Sequence, residues 1–183
     1  MNLEFGRPTD CTGRKPRETR TYDLLDRLGI AYGRVDHEAA ESMEACAVIE
    51  RVLEAPICKN LFLSNRQGTA FYLLLMPADK PFRTKELSAQ IGSSRLSFAT
   101  PEHMEQYLGL SPGSVSVLGL RNDRGGRVRL LIDEDLLADE WIGCHPLVNT
   151  TTLRLCISDL LTRFLPAVKH GYSPVRLLGG DAP

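Results

Sequence analysis

Ile57-Cys58-Lys59-Asn60-Leu61-Phe62-Leu63, Asn65-Arg66-Gln67-Gly68 and Thr69-Ala70-Phe71-Tyr72-Leu73-Leu74-Leu75-Met76 follow one another with only Ser64 intervening, and their reading decides the fold. The middle segment ends on glycine and is rich in turn formers, so the flanking apolar runs are expected to pair as a hairpin. The second run has no polar alternation, the pattern of a strand covered on both faces. A charge in this region is conspicuous. Lys59 lies between apolar neighbours, where lysine is seldom fully buried without a partner. Two readings stand side by side: an edge lysine facing water, or a fixed charge facing a pocket, suited to bind phosphate or stabilise an oxyanion.

Upstream, residues 1–17 hold two prolines, two glycines and no apolar period, so they are expected to form an irregular arm. Tyr22, Leu24, Leu25 and Leu28 mark a short amphipathic helix ending at Gly29, and Ile30 to Val35 reads as a strand. Ser42 is placed to cap a helix through Met43, Cys46, Ile49, Val52 and Leu53, with Pro56 just beyond it. Downstream, Thr84 is expected to cap a helix stopping at Gly92, and Thr100-Pro101 to open another stopping at Gly109. Ser111-Pro112-Gly113 reads as a turn into a strand over 114–120, which Asn122 to Gly126 would turn back into Arg127 to Ile132 as a second hairpin. Trp141 to Thr150 carries His145 in a loop, Thr151 to Cys156 alternates as a strand, Ser158-Asp159 caps a last helix through Phe164, and Gly179 to Pro183 should fray. Hairpins mixed with irregularly placed short helices predict an α+β fold: a mixed, curved β-sheet with surrounding short helices, as a single domain over 18–178.

Bulk properties restrict the class. A chain of 183 residues, 43% hydrophobic and 25% charged, suits one soluble globular domain. Its 22 lysines and arginines nearly cancel 23 acidic residues, so no global field draws it to nucleic acid or an anionic membrane. Any RNA contact must use a local patch, and no DNA partner is expected. Met1 to Arg20 lacks the apolar core of a secretory signal, and no run approaches the roughly 20 apolar residues of a membrane span; a cytoplasmic address without a membrane partner is expected. Cys11, Cys46, Cys58, Cys144 and Cys156 are odd in number and lack a CxxC pair, which favours reduced thiols over disulfides or a structural zinc site.

Other candidates are weaker alone. His145, beside Pro146, suits a hydrogen bond to a carbonyl, a proton shuttle or a structural loop position. Cys144 next to it raises a metal site, but no further ligand has suitable spacing. Pro112-Gly113-Ser114 offers backbone amides to an oxygen-rich ligand or is simply a turn. Ser114 with His145 suggests a hydrolase triad, yet no GxSxG elbow is present. Arg14, Lys15, Arg17 and Arg20 form one basic cluster and Arg121, Arg124, Arg127 and Arg129 a second; each reads as a phosphate contact or as solvated surface.

Taken in order, Tyr22-Asp23-Leu24-Leu25, Val35-Asp36-His37-Glu38, Met43-Glu44-Ala45-Cys46, Lys59-Asn60-Leu61-Phe62-Leu63, Leu96-Ser97-Phe98-Ala99, Pro112-Gly113-Ser114-Val115-Ser116, Asn122-Asp123 and His145-Pro146-Leu147-Val148-Asn149-Thr150 resemble the YbaK/ProX-type prolyl-tRNA-synthetase-associated deacylases. The match runs from about Thr12 to about Phe164. The resemblance implies an α+β fold around a mixed sheet and hydrolysis of mischarged tRNA, with Ala-tRNA(Pro) as substrate and prolyl-tRNA synthetase as a partner; no cofactor or metal is expected. It makes Lys59 an essential lysine near the terminal adenosine, Asn60 its neighbour, Gly113 the start of a substrate loop continuing through Ser114, Val115 and Ser116, and His145 the histidine flanking the ester. Asn149 and Thr150 match the motif as substrate-side residues, and Arg14, Lys15, Arg17 and Arg20 are left as tRNA contacts. One departure is Val117, where many relatives have proline four residues after the loop glycine; loss of the ring is expected to loosen the loop or reshape the amino-acid pocket. A deacylase for Cys- or Ser-tRNA, and a noncatalytic tRNA-binding module of the same fold, are the alternatives.

Overall fold

The computed structural model of the protein describes residues 1–40 and 42–179. The decisive stretch forms two antiparallel strands, β3 (Cys58–Asn65) and β4 (Phe71–Pro77), paired from Cys58 opposite Pro77 to Ser64 opposite Phe71. Asn65 closes the turn, its Oδ1 accepting the amides of Thr69 and Ala70 at 2.8 and 3.1 Å. Among the described residues nine strands, the two of this hairpin included, divide into two sheets. The larger has the order β5 (Leu96–Phe98), β3, β4, β6 (Val128–Asp133), β9 (Tyr172–Val175); the smaller has β1 (Glu4–Phe5), β2 (Tyr32–Asp36), β8 (Thr151–Cys156), β7 (Trp141–Cys144). A single parallel bridge from Ile57 to Gly143 joins their neighbouring edges.

The larger sheet is buried on both faces, as the unbroken apolar run of β4 implies. Phe62, Leu73 and Leu75 pack into the main core with Tyr22, Leu25 and Phe164; Leu63, Leu74 and Met76 pack into a second core with Leu87, Leu96 and Val175. Helices follow the capping chemistry of the sequence. Ser42 accepts the Ala45 amide at the head of α2 (Met43–Leu53), and Thr100 accepts the His103 amide at the head of α4 (Pro101–Leu108). The first helix, α1 (Pro16–Arg27), packs Tyr22, Leu24 and Leu25 into the core.

Four expectations are corrected. The strand expected over 114–120 is a buried 3-10 helix, Val117–Asn122. The Val117 amide is satisfied by the Asn60 side chain and the Leu118 amide by Ser116 Oγ, so neither seeks a strand partner, and a Cβ on Gly119 would come within 2.8 Å of Leu110. The second hairpin is consequently absent: β6 pairs in parallel with β4, and residues 78–127 between them supply the crossover a parallel pair requires. Thr84 is the first residue of α3 (Thr84–Ile91) rather than its cap; Arg83 holds that position and makes no side-chain capping hydrogen bond. The last helical stretch starts at Ile157, continues through a wider π-type turn, Leu160–Phe164, and ends at Ala167.

The arm is anchored rather than loose. Glu4 pairs with Arg34 across β1 and β2, and the Arg14 guanidinium bonds Asp36 at 2.7 and 3.0 Å. Burial pushes the Asp36 carboxyl up, but hydrogen bonds from Arg14 and Thr151 outweigh this and hold it at about 2. The fraying expected at the C-terminus falls, from Gly180 onward, outside the described residues. Phe62 is 2% exposed at the centre of the larger sheet; Phe62→Ala is expected to lower unfolding free energy by about 3–5 kcal/mol in urea titration.

Candidate active site

Side chains on a strand alternate between faces, and β3 uses both. Cys58, Asn60 and Phe62 face the main core; Lys59, Leu61 and Leu63 face the second. On the Asn60 side, where the two sheets meet, lies a cavity of about 210 Å³ lined by Ile57, Cys58, Asn60, Gly113, Val115, Cys144 and His145. Four residues singled out in the sequence, Asn60, Gly113, Val115 and His145, are thus brought together. Lys59 is not among them. It borders an adjoining groove of about 450 Å³ that shares Ile57 and Cys58 with the cavity, and its Nζ donates to the Lys80 carbonyl at 2.8 Å.

Asn60 ties the strand to the loop. Its Nδ2 donates to the Cys58 carbonyl at 3.1 Å, and its Oδ1 accepts the Val117 amide at 3.0 Å. Proline at 117 would have no hydrogen to give, so the valine supplies a tether the ring cannot, and the loosening expected from its presence is offset. The loop ahead of it turns at Gly113, whose φ of 85° suits glycine. Ser114 faces away from the cavity: its amide and hydroxyl both donate to the Ser111 carbonyl, at 3.1 and 2.9 Å. Ser116 is buried and caps the 3-10 helix. Among the described residues the amides of Gly113 and Val115 have no protein acceptor and are available to a ligand oxygen.

On the opposite wall, β7 carries Cys144 to the cavity edge and releases the chain at His145. The His145 Nδ1 lies 2.8 Å from the Thr151 carbonyl, so Nδ1 carries the proton and Nε2 is the acceptor in the neutral ring. Burial lowers its pKa, the Thr151 carbonyl opposes that, and His37, with ring centres 6.2 Å apart, adds to the lowering. Leu147, two residues on, is fully buried with a φ of 66°, an uncommon conformation for a branched residue of the kind that clusters at functional sites. Burial pushes the Cys58 thiol up to about 11 and the Cys144 thiol well above its usual value. Both stay protonated and are poor nucleophiles. No third His, Cys, Asp or Glu joins Cys144 and His145 as a metal-binding group among the described residues.

The remaining candidates lie elsewhere. Asn149 is half-buried; Thr150, Arg14 and Lys15 line a separate surface depression, where Arg14 is held by Glu18 and Asp36. Arg17 gives its carbonyl to Arg121 at 2.8 Å, and Arg20 joins Arg121 and Arg124 in a wide groove. The cavity walls Ile57, Cys58 and Cys144 were not singled out as site residues. The adjacency of Cys144 to His145 was the one available signal.

Residues 37–162 match the family model described as the aminoacyl-tRNA editing domain. The chain is 34% identical over 136 residues to the prolyl-tRNA editing protein ProX of Acetoanaerobium sticklandii, covering 74% of this chain and 83% of that protein. It is 29% identical over 150 residues to prolyl-tRNA synthetase associated domain-containing protein 1 of Danio rerio, covering 81% and 80%. A solved structure described as a candidate trans-editing enzyme for prolyl tRNA synthetase superposes with a TM-score of 0.67 at 19% identity, covering 89% of this chain and 97% of that one.

Two outcomes are expected. Val117→Pro keeps a backbone suited to the first position of a helix but strips Asn60 Oδ1 of its donor, and should cost about 1–3 kcal/mol in urea unfolding. The second concerns pH. The folded pKa of His145 lies below its ordinary 6.5, so on acidification the unfolded chain binds that proton first. Stability should therefore fall as pH drops through 6.5 towards the lower folded value. His145→Gln should lack this component when urea midpoints are compared between about pH 7.5 and about pH 5.5.

Proposed function

The chain belongs to the aminoacyl-tRNA editing domain family, and from that premise we propose that it is a trans-acting hydrolase removing alanine from mischarged Ala-tRNA(Pro) in the cytoplasm, with residues 18–178 as its editing domain. The observation that carries this reading is the small cavity in which Asn60, Gly113, Val115 and His145 converge. An aminoacyl ester is already activated, so its hydrolysis needs a placed water and stabilisation of the tetrahedral oxyanion rather than a metal or covalent nucleophile.

The site's groups divide that work. The unengaged amides of Gly113 and Val115 donate to the developing oxyanion. His145, neutral at physiological pH, presents Nε2 as an acceptor to the terminal ribose hydroxyl and so positions the ester. Asn60 holds the loop at its working distance through Val117. Lys59, in the adjoining groove, anchors the terminal nucleotide by charge; leaving the Lys80 carbonyl for a phosphate is a favourable exchange, since ionic hydrogen bonds are the stronger ones. The names of the ProX and Danio rerio relatives support tRNA(Pro), and prolyl-tRNA synthetase as a partner.

Size supports a small aminoacyl group. A cavity of about 210 Å³ walled by Ile57, Val115 and two cysteines has room for alanine, and equally for serine or cysteine. A methylene more or less is worth only about 1–3 kcal/mol, so tRNA contacts must complete the discrimination. The test is deacylation of purified Ala-tRNA(Pro), Ala-tRNA(Ala), Cys-tRNA and Ser-tRNA. Rapid hydrolysis of the first is expected, with near-complete loss in Lys59→Ala. A folded Lys59→Ala protein with undiminished turnover would overturn the role given to Lys59, and preference for Cys- or Ser-tRNA would overturn the substrate.

A further inference from the structure

A second concavity, outside the cavity described above, is strongly basic. It is a groove of about 630 Å³ into which Arg20, Arg27, Arg121, Arg124 and Lys169 project from three separate parts of the chain. Arg20 and Arg27 come from α1, Arg121 and Arg124 from the end of the 3-10 helix, and Lys169 from the turn after the last helix. Its one acidic residue, Asp23, is already engaged by Arg7 at 2.8 Å. The groove therefore holds concentrated positive charge on a chain whose net charge is only −1.

Structural demands account for part of this charge but not all of it. Arg27 ends α1 and Lys169 follows the last helix, places where a cation complements the partial negative charge of the last carbonyls. Arg20 is in mid-helix and Arg124 in a turn, and neither has that use. Arg121 is half-buried with its Nε shielded from solvent and lacking any hydrogen-bond partner, although its Nη2 reaches the Arg17 carbonyl. Burial lowers its pKa and the neighbouring Arg20 charge lowers it further, while Asp23 raises it by less, so the crowded cations are only partly balanced. Lys169 adopts a φ of 59° where glycine or asparagine is usual, so a lysine is kept there against backbone preference.

We propose that this groove binds the phosphodiester backbone of the tRNA at a distance from its aminoacylated end. The inference rests on the editing function proposed above. Geometry connects the two sites: the loop lining the editing cavity at Gly113 and Val115 runs directly into the 3-10 helix whose far end carries Arg121. Six residues of such a helix rise about 12 Å. One short, buried element thus holds cavity and groove at a fixed separation within reach of a single RNA. Arginines predominate, as in phosphate recognition; the apolar part of the lining is Leu24, Ala167 and Val168, without the aromatic anchor on which protein interfaces commonly centre.

The experiment is binding of uncharged tRNA(Pro) to the full chain by fluorescence anisotropy over a series of salt concentrations. Arg20→Gln/Arg124→Gln, both at exposed positions, is expected to weaken binding roughly tenfold and to reduce the slope of log K against log salt by about one per lost contact. Arg20→Lys/Arg124→Lys should recover the salt slope. Arg127→Gln/Arg129→Gln, an equal charge change outside the groove, should leave affinity and slope close to the parent. Equal effects of the two glutamine pairs, or an unchanged groove variant with native circular dichroism, would overturn the proposal. So would loss of polyglutamate or inorganic phosphate binding in the groove variant with tRNA binding intact, since the groove would then serve an acidic protein or a free anion. Hydrolysis is scored separately: groove-dependent tRNA binding without deacylation by the parent protein would sink the editing reading and keep the groove, and deacylation with groove-independent binding would do the reverse.

Discussion

Successive residues of β3 point to opposite faces of a sheet that is buried on both sides, and the arrangement of the site depends on that alternation. Lys59 and Asn60 are neighbours in the chain but point to opposite faces of the sheet. Asn60 goes to the junction of the two sheets and fastens the 113–117 loop; Lys59 goes to the adjoining groove. A one-residue slip of register would exchange them and place a lysine against Phe62 and Cys144 in the main core. The apolar runs of β3 and β4 prevent the slip, because it would also turn Phe62, Leu73 and Leu75 away from that core. The packing that stabilises the fold therefore also assigns the polar side chains to their separate places.

Local signals in the sequence were dependable where local chemistry decides the structure. Ser42 and Thr100 cap as their side chains suggest, the turn at Asn65 forms, and Tyr22, Leu24 and Leu25 mark a true buried helix face. Reading failed where a distant side chain intervenes. Ser114 to Leu120 alternates like a strand, but Asn60, 57 residues away, takes the amide that a strand partner would have taken. The short strand β9 and the partition into two sheets rest on pairings that no periodicity records. For the site, residue types and the family resemblance selected Asn60, Gly113, Val115 and His145, which do converge. The alternation that parts Lys59 from them was visible in principle, since adjacent strand residues always oppose. Cys58 and Cys144 escaped because a buried thiol looks like any small apolar side chain.

Two electrostatic environments are kept apart by this architecture. The editing cavity is nearly uncharged, with a histidine held neutral, thiols held protonated and backbone amides as donors. Such groups act on developing charge without a competing fixed charge, and they are stronger in a site that excludes water. Formal charges stand outside: Lys59 in one groove, five cations in another. On the proposed function, attraction of a polyanion and reaction on its terminal ester are separate tasks of separate surfaces.

The pairing of β2 with β8, residues 32–36 with 151–156, also bears on how the molecule is assembled. During synthesis the β3 and β4 hairpin emerges early and can close on itself within a few residues. The smaller sheet has to wait for almost the whole chain, and β6 and β9, which extend the larger sheet in parallel beyond β4, also come late. Non-local pairings of this kind fold slowly, because loop closure costs entropy before the contacts reward it. His145, at the mouth of β7, reaches Asn60 only when those last strands dock. The cavity between the sheets is therefore one of the final parts of the protein to exist, and a chain interrupted before residue 151 would contain much of its core and no assembled cavity.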